Sequence, residues 1–452
     1  MAPGKKSPFR EPNIRLFVLF RVLFNARFYY PVFTILFLDY GLTIEQFSLL
    51  NTAWAFTIVL AEVPSGALAD FFGRRKLLLA TSLLMVIEMA LLAFVPLGNM
   101  RVVFSVFLVN RILSGLAEAM ASGADEALAY DSLVEQGMEK QWPRVLEVQM
   151  WAQNVGFMVA MTLGAAVYDP GVVQAVLHWS GIDVVLPQQV TMRYPVYLTL
   201  LFSLFACLVT FLMKDPHTQV HKSVEERKRT TVASVTGLTM SAGRWILKTP
   251  FALAVILYAA VFDHTLRLLV TMTSQYYRLI HLPESTFGVL GSMVAVVGLL
   301  VPRVARRMTE RFTPGVNVAV LSVAMLSALF GLTLFIPYLG VLPMLIIFLG
   351  LMATSFFTSH YLNAMTSSAE RATVLSFKGL AFNAAYGLIG MLYAGLLFMS
   401  REKQRLAHPQ WDEPLIENAA FIDSLHWFPW YLLVGLGLVS LICLPRLTPH
   451  RL

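Results

Sequence analysis

The chain is poor in charge and in cysteine. Only 13% of its 452 residues are Asp, Glu, Lys or Arg, against 57% hydrophobic, whereas a soluble domain carries about a quarter charged residues. Its two cysteines, Cys207 and Cys443, lie inside apolar runs, which excludes a disulfide framework or a cysteine metal cluster. No glycine-rich phosphate loop ending in Lys and Ser or Thr is present, so bound nucleotide is not the expected energy source. A His-Glu-x-x-His pair and a Gly-x-Ser-x-Gly turn are missing too, leaving a membrane-embedded hydrolase without machinery. The formal charge of +7 does not point to nucleic acid, because the basic residues flank apolar segments instead of lining a soluble face. No cofactor and no metal is expected.

What the chain has in quantity is apolar length. Twelve segments are long enough to cross the ~30 Å hydrocarbon core as helices: 14–38, 46–68, 77–97, 102–128, 143–168, 194–213, 250–277, 285–305, 316–337, 341–366, 371–399 and 428–446. The first follows Lys5, Lys6, Arg10 and Arg15; it exceeds a signal-peptide core and no small-residue cleavage site closes it, so it is expected to be retained. Residues 214–249 form the one long polar stretch with many like charges, including Glu225-Glu226-Arg227-Lys228-Arg229. They read as a linker dividing the chain nearly in half. Placing both termini in the cytoplasm leaves Arg101, Arg193, Arg278, Arg401, Lys403 and Arg405 as the only basic residues in outside segments, which satisfies the positive-inside rule.

One short turn carries a motif. Gly66-Ala-Leu-Ala-Asp70-Phe-Phe-Gly73-Arg74-Arg75-Lys76 joins the second and third segments, with Gly73 placed for a tight reversal. It resembles the loop between the second and third helices of major facilitator superfamily transporters. In the fourth segment Arg111-Ile-Leu-Ser-Gly115 resembles that superfamily's fourth-helix motif, associated with substrate binding and proton transfer. The stretches Glu62-Val-Pro64-Ser-Gly66, Gly123-Ala-Asp125-Glu126 through Asp131-Ser-Leu, and Glu370-Arg371-Ala-Thr-Val-Leu-Ser are similar to ones in a poorly characterised bacterial group of it. The resemblance implies an all-α polytopic membrane protein with twelve transmembrane helices in two six-helix bundles, 1–213 and 250–452, joined by the cytoplasmic linker 214–249. It implies substrate binding near the midplane and a monomer in the cell membrane, expected to be a bacterial inner membrane. For Asp70, Arg74, Glu62, Asp125 and Asp131 it implies a charge network that gates the inner face. The equivalent stretch of the second half, 298–311, keeps basic residues and lacks the Asp, so the two gates are expected to differ.

Charged residues at membrane depth cost several kcal/mol unless paired or hydrated, so each is a functional candidate. Arg111, Gly115, Glu118, Ser122 and Asp125 recur at spacings that put them on one face of a continuous helix. Arg111 is expected to bind substrate and Glu118 to bind the coupling proton, or the two pair only to hold helices together. Arg21 and Asn25 share a face of the first helix, while Arg27 must point at a neighbour. Glu88, in the third helix, is open to two roles: proton coupling, or pairing with Arg27. In the seventh helix Asp263 and Arg267 form an i,i+4 pair, and Arg267 and Thr271 continue a polar face with Ser274. His264 could titrate near neutral pH or join Asp263 on a metal, and Lys378 could snorkel to the aqueous boundary. Gln153 is the substrate-facing candidate of the fifth helix, where 156–164 does not match the glycine-proline motif of the superfamily's proton antiporters.

The chain is therefore expected to be a secondary transporter driven by an ion gradient, with protons as coupling ion. Arginines in both halves (Arg21, Arg111, Arg267) suit bidentate contact with a carboxylate or phosphate. A small organic anion or zwitterion is the expected substrate; efflux of an amphipathic compound by proton antiport is the alternative. An uptake assay would separate either from a non-transporting receptor of the same fold.

Overall fold

The computed structural model describes residues 7–122, 124–216, 243–365 and 368–447, with side chains for most of them. The linker run Glu225–Arg229 lies outside the described residues, as do the side chains of Asp70, Glu370 and Arg371. The described residues are helical, and twelve stretches of them are long and apolar enough to cross a membrane. Large apolar side chains such as Leu60, Phe94, Trp151, Leu392 and Leu441 stand exposed along these helices, which a water-soluble surface would not tolerate at this density.

Two compact units make up the chain: Met1–Val32 with Thr57–Thr236, and Phe33–Phe56 with Gly237–Leu452. In the first unit α1 (Pro12–Asn25) packs on α7 (Trp142–Tyr168) and α10 (Tyr194–Leu212), while α4 (Arg74–Phe94) lies between α5 (Met100–Ala121) and α10. The short α6 (Ala124–Glu135) follows α5, and α8 (Pro170–Trp179) and α9 (Gln188–Thr191) fill the expected outer loop. The second unit takes in α2 (Phe33–Asp39) and the start of α3 (Ile44–Phe72). It continues with α11 (Pro250–Thr271), α12 (Thr273–Leu279), α13 (Thr286–Gly298), α14 (Val301–Arg311), α15 (Pro314–Leu332), α16 (Val341–Met365), α17 (Ser368–Ala407), α18 (Glu413–Leu425) and α19 (Trp427–Leu447). Helix starts carry the expected chemistry. Asn99 Oδ1 accepts from the amides of Arg101 and Val102, Asp412 Oδ1 accepts from Leu415, and prolines occupy the first turn of α1, α10, α11 and α15, where their missing N–H costs nothing.

Four spans expected to be continuous are broken. The first is interrupted between Asn25 and Phe33, where Pro31 removes a backbone donor and disfavours helix at Tyr30. The fourth leaves helical geometry at Ser122 (φ −55°, ψ 110°), so Asp125 sits on α6 and the single face drawn from Arg111 to Asp125 ends with α5. The seventh breaks at Met272 and the eighth at Leu299–Leu300. The eleventh, expected to end at 399, runs on to Ala407.

Backbone groups freed inside a membrane must find partners, and two sets do so through distant side chains. At the first break the Phe28 amide donates to Thr199 Oγ1 at 3.1 Å, and α7 comes so close that a Cβ on Gly164 would stand 1.7 Å from the Phe28 carbonyl oxygen. In the second unit a side chain of α12 caps the start of α2, and a side chain of α2 caps the end of α11. Ser274 Oγ accepts from the amides of Thr34 (3.0 Å) and Ile35 (3.2 Å), and Thr34 Oγ1 donates to the Thr271 carbonyl at the end of α11. The N-terminus of α2 and the C-terminus of α11 thus each have orphan groups satisfied by a side-chain hydroxyl across the break.

Gly164→Ala is expected to lower the melting temperature, because its Cβ meets backbone that cannot rotate away; overpacking of this kind costs about 1–3 kcal/mol. Gly437→Ala, where a Cβ meets nothing within 4 Å, should leave it unchanged. Thermal unfolding of the purified variants checks both.

Candidate functional site

The break in the first span delivers Arg27 to Glu88. Arg27 Nη1 lies 2.5 Å from Glu88 Oε1, with the arginine 4% and the carboxylate 0% exposed. Asn110 Nδ2, from α5, donates to the Glu88 carbonyl at 2.9 Å, and the Arg27 guanidinium stands 5.2 Å from the centre of the Phe24 ring. Three helices meet on this pair. Arg111, the next residue of α5, is buried as well, with Nη2 3.5 Å from Ser114 Oγ. Glu118 lies two turns further along α5, with its side chain exposed and within the fields of Arg27, Glu88 and Arg21. Among the described residues no side chain pairs with the Glu118 carboxylate. Ser65 Oγ sits 2.8 Å from the Glu62 carbonyl and 2.9 Å from that of Ala119, which sets the Glu62 turn of α3 against the Glu118 turn of α5.

The other first-unit candidates are placed as follows. Arg21 is held by Asp125 (Nε to Oδ2, 3.1 Å) and Glu126 (Nη2 to Oε1, 2.5 Å), and Asn25 Nδ2 donates to the Arg21 carbonyl at 2.8 Å. Gln153 pairs with Gln149 at 2.5 Å. Arg74 forms an ion pair with Asp131. The expected gate therefore separates into two pairs: Asp131 is the partner of Arg74, and Asp125 that of Arg21. Gly73 has φ 93°, as the tight reversal requires. Sequence reasoning missed the rest of this end. Asp215 Oδ1 accepts from the Arg75 amide at 3.1 Å, and Asn13 bridges Ser132 Oγ and the Lys214 backbone. A lone Asn in the first turn of an amphipathic helix was the available signal.

In the second unit Arg267 is enclosed by its own neighbours. Its guanidinium donates to Asp263 Oδ2 (2.6 Å), Asn383 Oδ1 (2.9 Å) and the Phe382 carbonyl (2.9 Å), and lies over the Tyr386 ring. Thr271 Oγ1 donates back to Leu268. His264 Nε2 pairs with the Tyr431 hydroxyl at 2.8 Å, away from a joint site with Asp263. Lys378 sits over the Phe382 ring and feels the Asp263 charge.

Two further arginines, counted from sequence only as loop charges, form clasps. Arg278 binds Asp39 through both terminal nitrogens (2.9 and 3.0 Å) and reaches Glu284 at 2.6 Å. Arg401 lies 2.6 Å from both Glu45 and Glu417. Together they tie α2 and the start of α3 to α12, α17 and α18.

Twelve apolar spans among the described residues, with charges paired inside them, define a multi-pass membrane protein, and its family makes it a transporter of the alternating-access kind rather than an enzyme. The chain belongs to the Major Facilitator Superfamily, whose profile matches residues 16–392. No curated protein matches it significantly by sequence. Among solved structures it is similar to the nucleoside transporter NupG, at 13% identity over 95% of this chain and 98% of that one, TM-score 0.68. It is similar also to a bacterial homolog of the human lysosomal transporter Spinster (16%, 99% and 100%, TM-score 0.69) and to a D-xylose-proton symporter (13%, 94% and 96%, TM-score 0.63).

Replacing Arg27 alone by Leu is expected to cost about 3–5 kcal/mol, because a buried carboxylate is left without its counter-charge. The double variant Arg27→Leu with Glu88→Leu should regain most of that loss, since neither charge then needs solvation. Thermal unfolding of the single and double variants reads the difference; equal loss in both would remove the pair from its structural role.

Proposed function

We propose that the chain is a proton-coupled symporter of a small organic anion or zwitterion. It rocks its two six-helix halves, 1–213 and 250–452, around a central site in the cell membrane, with both termini cytoplasmic. The observation that carries this reading is the charge balance around Glu118. Arg27, Glu88, Arg111 and Glu118 sum to zero when all are ionised. Arg27 and Glu88 are locked together at 2.5 Å, while Glu118 is exposed and free of a paired partner among the described residues, so water can deliver a proton to it. Protonation leaves the group with one net positive charge, which favours an anion. Proton and anion then stabilise each other's binding, which is the reciprocal coupling a symporter needs.

Arg111 is the proposed anion contact, with Asn25, Arg21 and Gln153 on the same unit and Arg267 and Thr271 on the other. For Arg21 and Arg267, contact with substrate requires an exchange of their present carboxylate partners. Glu88 and Asp263 then act as the fixed counter-charges of the coupling set. At the cytoplasmic end the Arg74–Asp131 pair serves as the gate, Asp125 is held by Arg21, and Asp70 and Glu62 keep the gating role that the motif implies. The Arg278 and Arg401 clasps serve at the outer end. Proton coupling is stated for two structural neighbours, a D-xylose-proton symporter and a proton-dependent oligopeptide transporter, and supports the same coupling here.

A thermal-shift screen of the purified protein is expected to find an organic anion that stabilises it, more strongly at acidic than at alkaline pH. Arg111→Ala should weaken that ligand by roughly tenfold to a hundredfold, the value of a hydrogen bond to a charged group. Glu118→Gln, fixed in the neutral form, should bind equally at both pH values and lose proton-driven accumulation in proteoliposomes. Stabilisation by lipophilic cations alone would replace this reading with efflux by proton antiport.

A further inference from the structure

The second unit contains a cavity of about 360 Å³ among α11, α15, α16 and α19. Phe251, Phe262, Phe357, Tyr361, Leu436 and Leu444 form much of its wall. The hydroxyls in the wall are consumed by the wall itself: Tyr258 pairs with Ser440 at 2.7 Å, Thr354 donates to Gly350, Thr358 to Thr354 and Ser322 to Val318. The space is therefore apolar in its chemistry, and more than large enough for a hydrocarbon chain. It opens sideways, since Gly315, Ala319 and Leu444 belong to the wall and are exposed along α15 and α19.

One polar group breaks this pattern. Asn317 is wholly buried in the wall, and its Nδ2 donates to the Tyr361 hydroxyl at 2.7 Å and to the Met308 carbonyl at 3.4 Å. Among the described residues its Oδ1 has no partner, an open acceptor that burial makes costly unless a donor arrives. Met308 lies on α14, whose sequence places Arg303, Arg307 and Arg311 four residues apart on one exposed face. Arg306 is turned toward Glu310, at 3.8 Å. The polar end of the cavity thus abuts a helix carrying a row of positive charge. Orientation by the positive-inside rule asks for such charge near the membrane; it does not ask for a helical face beside an apolar cavity.

We propose that the second unit binds one anionic phospholipid, with an acyl chain in this cavity and its phosphate on Arg303, Arg307 and Arg311. A basic residue near the membrane surface attracts an anionic lipid by about 1 kcal/mol, so three on one face select charge while the cavity selects the chain. A hydroxyl-bearing headgroup supplies the donor that Asn317 Oδ1 lacks.

The test uses the full chain in detergent, titrated with dioleoyl phosphatidylglycerol, dioleoyl phosphatidylcholine and glycerol 3-phosphate while thermal unfolding is followed. Phosphatidylglycerol is expected to raise the melting temperature by about 3 °C near saturation, phosphatidylcholine by less, and glycerol 3-phosphate not at all. Arg307→Gln with Arg311→Gln should remove the preference for phosphatidylglycerol. Ala319→Phe, at the exposed mouth, should reduce the rise with both lipids. Equal shifts with the two lipids, an equal shift with glycerol 3-phosphate, or a phosphatidylglycerol preference that survives both variants overturns the proposal. No step needs a transported substrate, so failure here leaves the symport reading standing.

Discussion

The cost of a charge in hydrocarbon organises the first unit. Glu88 sits in the middle of an otherwise apolar helix, where an unpaired carboxylate would not be tolerated. Its partner cannot come from α4, whose other residues at that depth are apolar, so it comes from the first span. Delivering it requires that span to break. The break frees backbone groups, and these in turn require Thr199 on α10 and the bare α-carbon of Gly164 on α7. One ion pair therefore fixes the relative positions of α1, α4, α5, α7 and α10.

The second unit answers the same cost differently. Arg267 takes its counter-charge from its own helix, one turn away at Asp263, and spends its remaining donors on α17. Such an i,i+4 pair needs no break and makes no demand on a neighbour beyond a carbonyl and an amide. The break in the seventh span serves another purpose: it presents Ser274 and the Thr271 carbonyl to α2. Breaks in the two halves are thus not equivalent.

This difference marks what could be read from the residues. The twelve spans were legible because apolar length over ~20 residues has few other uses, and Arg27 was legible as a side chain that must find a partner off its own helix. Pro31 and Pro302 stand at two of the breaks, yet the spans through them were expected to be continuous, and Ser122, where the fourth span breaks, was placed on an unbroken helical face. The break at Met272 has no proline or glycine beside it and depends on Thr34, more than two hundred residues away. Nor could spacing show that Asp125 would prefer Arg21 to Arg74, because that choice is made by where α5 ends. The clasps of Arg278 and Arg401 were hidden for the same reason: loop arginines are usually explained by orientation alone, and their partners Asp39 and Glu45 lie far back in the chain.

The position of each pair along the helices separates those that can exchange with water from those that cannot. Arg27 and Glu88 are almost fully buried, and parting them would leave two bare charges in a dry interior at a cost of several kcal/mol per ion. Asp39 is the last residue of α2, Glu45 stands in the first turn of α3, and Arg278 lies near the end of α12. All three are partly exposed, and pairs at such positions are worth ~1 kcal/mol or less because water replaces either partner. The caps that link α2 to α11 and α12 are made of neutral hydrogen bonds of similar net worth. A motion that opened this end would therefore trade weak pairs for water. The same motion carried through Glu88 would have no such substitute. Alternating access in this chain is consequently expected to move α2 and the start of α3 against α12, α17 and α18 while the helices gathered around Arg27 and Glu88 travel as one body.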